Sequence, residues 1–420
     1  MSIQSTTLKN GLRVITDYVP EMDSIAAGVW ADVGTRHEDL AHNGVAHMVE
    51  HMLFKGTPTR NALEIGEQIE NVGGQMNAYT SREVTAYYVH LLKQDLPLAL
   101  DVIGDIVQNP LFPEDELEKE RDVILQEIGM TNDTPDDLIF DQYQETAYPG
   151  QALGAPILGT SEIVSNMQRE TLFEYVRRFY TSGRLVVSVA GGVDHDSVVN
   201  EAEKIFSNLG EDSEQKYKDA DYKGGENRDE KPLEQSHVVL GFRGIAKNDP
   251  DYYAAVLLST VLGGGMSSRL FQEIREKRGL VYSVYSSHTA FHDCGQLEIY
   301  AGTGPDKLPE LIPVITGEVQ KMIQDCISSD ELARAKSQIK ASMLMSRESM
   351  LSRANRQAKH LINFNEDLDM TKLVERVDAI TPDQICAMAQ RIFTSRPTLA
   401  GLGPLQNLEA LPLIEERLAA

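Results

Sequence analysis

The sequence predicts an α+β fold made of two similar domains, each a mostly antiparallel sheet packed with helices. Its 420 residues are enough for two domains with separate cores. Strand-like alternation and amphipathic helical periodicity follow one another through both halves of the chain. Short stretches of the first half also recur about 215 residues later, which indicates a duplication.

The first predicted domain covers residues 1–210 and begins with a hairpin over 6–19, whose turn is Asn10-Gly11. A nearly continuous run of apolar and small residues at 24–33 is typical of a buried strand. A helix is then expected within 43–60. The later patterns of this half predict a helix at 62–72, two strands within 76–92, helices at 96–107, 114–130, 136–146 and 169–179, a strand at 184–190 and a helix at 197–208.

Residues 211–232 are charged and poor in apolar side chains, so we interpret them as a linker, with room for short edge strands at its ends. The second predicted domain, 233–420, repeats the plan of the first. Its patterns predict a strand at 237–242, helices at 252–262 and 268–277 around a glycine turn, strands at 281–289 and 296–302, helices at 308–324, 330–350 and 382–393, a strand at 399–402 and a closing helix.

Two local similarities define the offset between the copies. The stretch EDEL at 114–117 corresponds to SDEL at 329–332, and Thr181 corresponds to Thr394, so the offset is 215 or 213 residues. An offset of 215 maps the stretch from His47 to His51 onto LGGGM at 262–266. We therefore expect one domain equipped for chemistry and one that keeps only the scaffold.

The charge balance limits the classes of partner. With 39 Lys and Arg against 64 Asp and Glu, the net charge is −25. This acidity disfavours nucleic acid and anionic membranes and favours cationic partners such as basic peptides. An acidic surface that only maintains solubility explains the charge equally well.

Targeting signals and cysteines bear on the compartment. No secretory signal and no apolar run near 18 residues is visible, so we expect a cytoplasmic location in a bacterium, with a processed periplasmic or organellar form left open. Cys294, Cys326 and Cys386 are far apart in sequence and form no C-x-x-C pair. They are expected to be core or surface thiols in a reducing compartment.

The strongest chemical signal is His47-Met48-Val49-Glu50-His51. On a helix, two histidines four residues apart project from one face, as two nitrogen ligands of one zinc ion do. Glu50, one residue before the second histidine, is placed to accept a proton from a water at the metal. The alternative is an ordinary amphipathic helix with two partly buried histidines and a surface glutamate.

A third ligand is needed, and the helix predicted at 114–130 offers Glu120 and Glu127. Seven residues separate them, so both side chains face one way on a helix. A solvated acidic face is the ordinary interpretation of such spacing. The apolar neighbours Val123, Ile124 and Ile128 indicate a partly buried helix, where an inward glutamate needs a partner.

Several stretches also carry a family pattern. They are GTRHE at 34–38, NGVAHMVEHMLFKGT at 43–57, GGQMNA at 73–78, EKERDVILQEI at 118–128 and GGGMSSRLFQEIREKRGLVYSV at 263–284. They resemble the pitrilysin/insulinase family of zinc peptidases (family M16), in particular the processing-peptidase branch with the mitochondrial β-subunit and its bacterial counterparts. The order H-x-x-E-H is the inverted zinc motif of that family.

The resemblance implies roles for individual residues. His47, His51 and Glu127 would bind one Zn²⁺ per chain, Glu50 would be the general base, and Glu120 would support the site from outside the metal's ligands. In the second domain Arg275 and Tyr282 match a pair that holds the substrate and polarises the scissile carbonyl, although spacing alone favours an ordinary helix-end Arg and strand Tyr.

The resemblance also implies how a substrate binds. Asn77 and Ala78 match the edge strand to which a peptide substrate adds its backbone. The triple glycine at 263–265 is followed by no G-K-[ST], so it is not a phosphate-binding signal.

The expected function is therefore a zinc endopeptidase that hydrolyses unstructured, basic or presequence-like peptides inside a closed dimer chamber. A homodimer is expected, because the chain carries both the metal motif and the Arg/Tyr pair; a heterodimer with an inactive homologue is the variant. The rival functions are a non-catalytic assembly subunit and a peptide-binding protein on the same scaffold. The complete set of His47, Glu50, His51 and Glu127 argues against both.

Overall fold

The computed structural model describes residues 2–210 and 218–419 of the chain. These residues form two compact units, and each unit is discontinuous in sequence. Unit 1 consists of the described parts of Met1–Met130, Ala155–Tyr217 and Leu344–Leu368. Unit 2 consists of the described parts of Thr131–Gly154, Lys218–Met343 and Asp369–Ala420.

Unit 1 is built on a six-stranded sheet. Its strands are β1 (Ser2–Thr7), β2 (Arg13–Tyr18), β3 (Ser24–Ala31), β4 (Gln75–Thr80), β5 (Thr85–Leu92) and β6 (Leu185–Gly191). Their order is β1-β2-β6-β3-β5-β4, and all neighbouring pairs are antiparallel except β2 and β6. The central strand β3 is apolar or small almost throughout and is buried on both faces, as expected for an interior strand.

Helices cover both faces of this sheet. One face packs on the larger apolar cluster, which includes the buried side of the helix that carries His47 and His51. The helices of unit 1 are α1 (Val45–Leu53), α2 (Ala62–Glu70), α3 (Leu96–Gln108), α4 (Glu114–Asn132), α6 (Ser161–Asn166), α7 (Arg169–Phe179), α8 (His195–Ile205) and α12 (Met350–Phe364).

The opposite face of the sheet is covered by α12, which comes from the second half of the sequence. Its buried Gln357 donates hydrogen bonds from Nε2 to Ser188 Oγ and to the Val189 carbonyl, both at 2.9 Å. The Trp30 indole donates to Asn355 Oδ1 at 3.0 Å. These hydrogen bonds help to fix the helix on a mostly apolar sheet face.

Unit 2 is built on a five-stranded sheet. Its strands are β7 (Gly225–Glu230), β8 (Ser236–Arg243), β9 (Val281–Ala290), β10 (Gly295–Thr303) and β11 (Thr398–Gly403), and their order is β7-β11-β8-β10-β9. The helices of this unit are α5 (Pro135–Ala147), α9 (Tyr252–Gly263), a π-helix (Phe271–Glu276), α10 (Leu308–Gln324), α11 (Ser329–Met345), α13 (Met370–Ala379), α14 (Pro382–Phe393) and α15 (Leu411–Ala419).

Apart from the additional edge strand β1, the two sheets have the same topology, which confirms the predicted duplication and fold class. Strands β7 to β11 repeat the order and directions of β2 to β6, including one parallel pair, β7 with β11. The helices also correspond: α4 begins at Glu114 and α11 at Ser329, the predicted offset of 215. The helix α5, which follows α4, corresponds to α12, which follows α11. Each of these two helices belongs to the unit that is formed mainly by the other half of the sequence.

Several predicted elements need correction. The helix expected at 330–350 ends at Met345; a short 3-10 turn follows and α12 begins at Met350, where Ser349 Oγ accepts from the Ser352 N–H. The helices α12 and α13 lie outside the predicted elements, and the helix expected at 268–277 contains a π-helical segment. The predicted linker contains one strand, β7, which pairs with β11 at the edge of the second sheet. Residues 218–224 and 231–232 of the linker lie outside strands, and residues 211–217 lie outside the described residues.

The expectation of three free thiols is also wrong. Cys326 and Cys386, 60 residues apart in sequence, form a disulfide within unit 2. Cys294 is buried and takes no part in this disulfide. Sequence spacing gives no hint of this pair, because the end of α10 and the middle of α14 meet only in the folded unit.

None of the helices in the described part of the chain is both long and apolar enough to cross a membrane.

Candidate metal centre

The helix α1 is buried on every side but one. Val45, Ala46, Met48, Val49, Met52 and Leu53 are buried in the core of unit 1. His47, Glu50 and His51 are the half-buried residues of this helix and share its remaining face. Apolar packing therefore fixes the direction in which the three polar side chains point.

A buried carboxylate holds the start of this helix. Glu38 accepts hydrogen bonds from the backbone N–H groups of Gly44 at 2.9 Å and Ala46 at 2.8 Å, and from Asn43 Nδ2 at 2.9 Å. These donors include N–H groups that the first turn of a helix leaves without partners. Burial nevertheless raises the pKa of Glu38 to about 7.

The two histidines meet Glu127 of α4. Glu127 Oε2 lies 3.8 Å from His47 Nε2 and 3.8 Å from His51 Nε2. Each of the three residues offers one potential ligand atom, and these atoms all lie within 4.8 Å of one another. The described part of unit 2 contains no cluster of this kind.

These residues fit a divalent metal. Glu127 Oε2 is buried and has no hydrogen-bond partner among the described residues, which is costly unless another group engages this oxygen. Burial, together with the neighbouring His51, lowers the pKa of His47 to about 4, so its imidazole is neutral near pH 7. Tetrahedral zinc with bonds near 2.0–2.1 Å needs ligand atoms about 3.3 Å apart, so the three atoms would have to move closer together around the ion.

Glu120 orients one of the two histidines. Its Oε2 lies 2.8 Å from His51 Nδ1, and its Oε1 lies 2.5 Å from Lys55 Nζ. Burial alone would raise the pKa of Glu120, but the hydrogen bonds from Lys55 and His51 outweigh it and lower that pKa. The ionised carboxylate accepts a hydrogen bond from Nδ1–H, which leaves the lone pair of His51 Nε2 directed toward Glu127.

Glu50 lies beside the ligands without belonging to them. Its Oε2 is buried and has no hydrogen-bond partner within the described residues. Burial raises its pKa, an effect that the nearby Thr80 hydroxyl and His51 partly offset. A carboxylate in this environment is a stronger base than an exposed one. The arrangement can therefore hold a metal and accept a proton close to it.

The predicted substrate-binding residues lie in two places. Asn77 and Ala78 are in β4, the outer strand of the first sheet, where the Ala78 N–H donates to Asn77 Oδ1 at 2.8 Å. Arg275 and Tyr282 belong to unit 2. The Arg275 guanidinium lies 5.4 Å from the centre of the Tyr282 ring, and that tyrosine is 78% exposed.

Sequence reasoning missed three residues around this centre: Glu38, Lys55 and Thr80. Lys55 continues the four-residue spacing of His47 and His51, which could have indicated it. Glu38 lies in a stretch that carries the family pattern, but no role follows from the sequence. Thr80 lies on β4, and only the fold brings it to Glu50.

Comparison with known proteins gives a consistent result. The sequence model described as insulinase (peptidase family M16) matches residues 13–161, and the one described as peptidase M16 inactive domain matches 166–339. An uncharacterized zinc protease of Streptomyces coelicolor is 38% identical over 97% of this chain and 91% of its own length. One from Bacillus subtilis is 38% identical over 97% of this chain and 99% of its own.

Solved structures with the same fold are also found. A protease from Helicobacter pylori is similar with a TM-score of 0.89 and 25% identity, over 96% of this chain and 99% of that one. A protein from Pseudomonas fluorescens, described as a peptidase M16 inactive domain, has a TM-score of 0.89 at 21% identity, over 98% of this chain and 100% of that one. The second likeness concerns the fold alone.

Proposed function

Because the chain belongs to peptidase family M16, the insulinase family, we propose that it is a zinc-dependent endopeptidase that uses the inverted H-x-x-E-H motif. One observation carries this proposal. Two buried carboxylate oxygens without a hydrogen-bond partner among the described residues, Glu50 Oε2 and Glu127 Oε2, lie beside His47 and His51, and the other ring nitrogen of His51 is already bound by Glu120. A scaffold without metal or chemistry gains nothing from such costly groups.

The metal would be held by His47 Nε2, His51 Nε2 and Glu127 Oε2. When bound, Zn²⁺ supplies Lewis acidity toward the peptide carbonyl and makes a neighbouring water more acidic. Glu50 Oε2 takes the proton of the attacking water and later delivers it to the nitrogen of the leaving amine. Burial raises the pKa of Glu50, which makes its carboxylate a better proton acceptor than an exposed one.

The substrate is proposed to be an extended, unstructured peptide. Strand β4 is at the edge of its sheet, so a peptide backbone can add to it, replacing the local bond between the Ala78 N–H and Asn77 Oδ1. Arg275 and Tyr282 are proposed to donate hydrogen bonds to the substrate and its developing oxyanion. The net charge of −25 favours basic peptides.

Replacing Glu50 with Gln tests the proposal most directly. The variant Glu50→Gln keeps the shape of the side chain and the three metal ligands but cannot accept a proton. We expect about one zinc per chain in both proteins, measured by metal analysis. Cleavage of an unstructured basic peptide library should fall by about 10²–10⁴-fold in the variant.

The controls separate the rival functions. Glu127→Ala should lose both zinc and cleavage, since it removes a ligand rather than the base. Zinc binding without Glu50-dependent cleavage would indicate a peptide-binding protein. A wild-type chain that takes up no zinc would leave an assembly subunit on a peptidase scaffold.

A further inference from the structure

A cavity of about 620 Å³ lies within unit 1, at the beginning of the edge strand β4. Its walls come from β4, from β5, from the residues before β3 and from the turn that leads into α12. Its wall residues include Met22, Met76, Tyr88, His90, Glu348 and Met350. The metal ligands do not line this cavity.

The cavity opens on the sheet face opposite to α1. Gln75 pairs with His90 and Asn77 pairs with Tyr88, and residues paired across strands share a face. Tyr88 packs in the cluster beneath α12. Met76 and Ala78 point the other way and pack against the cluster that contains α1. Thr80, which neighbours Glu50, has the same parity as Met76 and Ala78.

A peptide that adds to β4 therefore presents its side chains to two different environments. The residue opposite Thr80 lies level with Glu50, on the face of the metal centre. A residue opposite Asn77 or Gln75 directs its side chain to the α12 face, where the cavity opens. These positions are three and five residues away, or about 10 and 17 Å along an extended chain.

The chemistry of the cavity selects its occupant. Met22 and Met350 give it flexible apolar walls, which suit the methylene stem of a long side chain. Glu348 is exposed at its wall, and no hydrogen bond or ion pair engages that carboxylate within the described part of the chain. A stem that ends in a cation matches both features.

We propose that this cavity is a substrate subsite for an Arg or Lys side chain of a peptide added to β4, with Glu348 as its counter-ion. The subsite rests on the proposed peptidase function and adds a requirement to it. A basic residue is recognised three to five positions from the residue opposite Thr80, on the far face of the sheet. Cleavage and recognition thus occur on opposite faces of one strand edge.

An arginine scan tests the subsite. A set of unstructured alanine-rich peptides carries a single Arg at successive positions around one cleaved bond. Binding to the zinc-loaded Glu50→Gln protein is followed by fluorescence anisotropy, and cleavage by the wild-type protein is mapped by mass spectrometry. We expect one Arg position, a few residues from the cleaved bond, to improve both binding and kcat/KM by about two- to fivefold.

The charge-reversal variant Glu348→Lys should remove this gain while the all-alanine peptide behaves as before. The matched control is Glu203→Lys, an exposed position on α8, a helix that packs on β2 and α3. It applies the same change of net charge away from the cavity and should keep the Arg preference.

The two hypotheses fail differently. Cleavage that depends on Glu50 but shows no Arg preference, or a preference unchanged by Glu348→Lys, overturns the subsite and leaves the peptidase. Glu348-dependent binding of the Arg peptide without cleavage by the wild-type protein supports the subsite and overturns the peptidase. A preference that Glu203→Lys also removes overturns the subsite, because the effect is then one of net charge.

Discussion

At the scale of single residues, the two nitrogens of His51 have different tasks. Nε2 faces Glu127, and Nδ1 bonds to Glu120, which is itself held by Lys55. Glu120 thus sets the tautomer of His51 without contacting the metal position. Groups of this kind typically change metal affinity by about 10–100-fold when they are mutated.

We therefore expect Glu120→Gln to weaken zinc binding by about 10–100-fold, because a neutral amide polarises His51 less. Competition with a chromogenic chelator measures the affinity. Glu116→Gln, one turn earlier on α4 and paired with Lys119, is the control and should leave the affinity unchanged. An affinity within about twofold of wild type for Glu120→Gln would show that the contact with His51 is only structural.

Glu38 makes the stability of the fold depend on pH. Its pKa is raised in the folded protein to about 7, mainly by burial, from 4.5 as the ordinary value. The folded state therefore binds more protons than the unfolded state between these values, and stability falls as pH rises through this range. The shift in the pKa of Glu38 corresponds to a loss of about 3 kcal/mol in the free energy of unfolding, and this loss is complete just above pH 7.

The measurement compares unfolding of wild type and Glu38→Gln by urea from about pH 5 to pH 8. The stability of wild type relative to the variant should decrease by about 2–3 kcal/mol over this range and then become constant. Glu203→Gln, which changes an exposed glutamate on α8, should show no such trend. A difference between wild type and Glu38→Gln that does not vary with pH would mean that Glu38 is ionised throughout.

The spacing of candidate ligands along a helix can be predicted from the sequence, whereas the residues that hold those side chains and their helix in place cannot. Glu120 and Glu127 face one way because α4 is regular from Glu114 to Asn132. Glu38 and Lys55 reach their partners only in the folded unit, and no periodicity predicts which buried N–H group a carboxylate will accept from. Their positions depend on the packing of α1 against the core.

At the scale of elements, the start of α1 is fixed by two glycines. Gly44 precedes the helix with φ of 93°, and Gly159 lies against it with φ of 79°. A Cβ on Gly44 would lie 2.7 Å from the Leu158 carbonyl oxygen. The backbone can approach this closely only without a side chain, and the conformation itself favours glycine.

We expect Gly44→Ala to lower the free energy of unfolding by at least about 2 kcal/mol, through steric overlap and strain at the start of α1. Gly66→Ala is the matched control, because Gly66 lies inside α2 and a Cβ added there would have no atom within 4 Å. That change should be neutral or stabilising by up to about 1 kcal/mol. Equal urea midpoints for the two variants would show that Gly44 is not required at the start of α1.

The helix α12 shows why some elements are hard to predict. Its buried face consists of Met350, Ala354, Gln357, Ala358 and Leu361. Alanines and a glutamine give a weak apolar pattern, although small side chains suit close packing on a sheet. The predicted bounds of α3, α4, α10 and α14 agree closely with the observed ones, because bulky apolar residues mark the buried faces of these helices.

At the scale of the whole molecule, the duplication has produced two units that carry different sets of candidate functional residues. Unit 1 holds the metal cluster, and unit 2 holds Arg275 and Tyr282. The helix α5 comes from the first half of the sequence but belongs to unit 2, and α12 comes from the second half but belongs to unit 1. Neither half of the sequence therefore contains all the elements of its unit. The repeat can be predicted from local similarity, but the exchange of these helices involves residues far apart in the chain.

The expected homodimer would combine the two sets of residues across chains. If each site joins the metal centre of one chain with Arg275 and Tyr282 of the other, Glu50→Gln and Tyr282→Phe damage different contributors to a site. In an equal mixture half of the dimers contain both variants, and one of their two sites has neither lesion. About a quarter of the wild-type peptide cleavage should then return.

Each variant alone should stay far below that level. The control mixture combines Glu50→Gln with Glu127→Ala, which both damage the metal centre, so no site in any dimer is intact and no activity should return. Sedimentation or native mass spectrometry verifies that mixed dimers form. If they form and the first mixture stays as inactive as the control, Tyr282 acts on the metal centre of its own chain, because every chain in that mixture then carries a lesion in its own site.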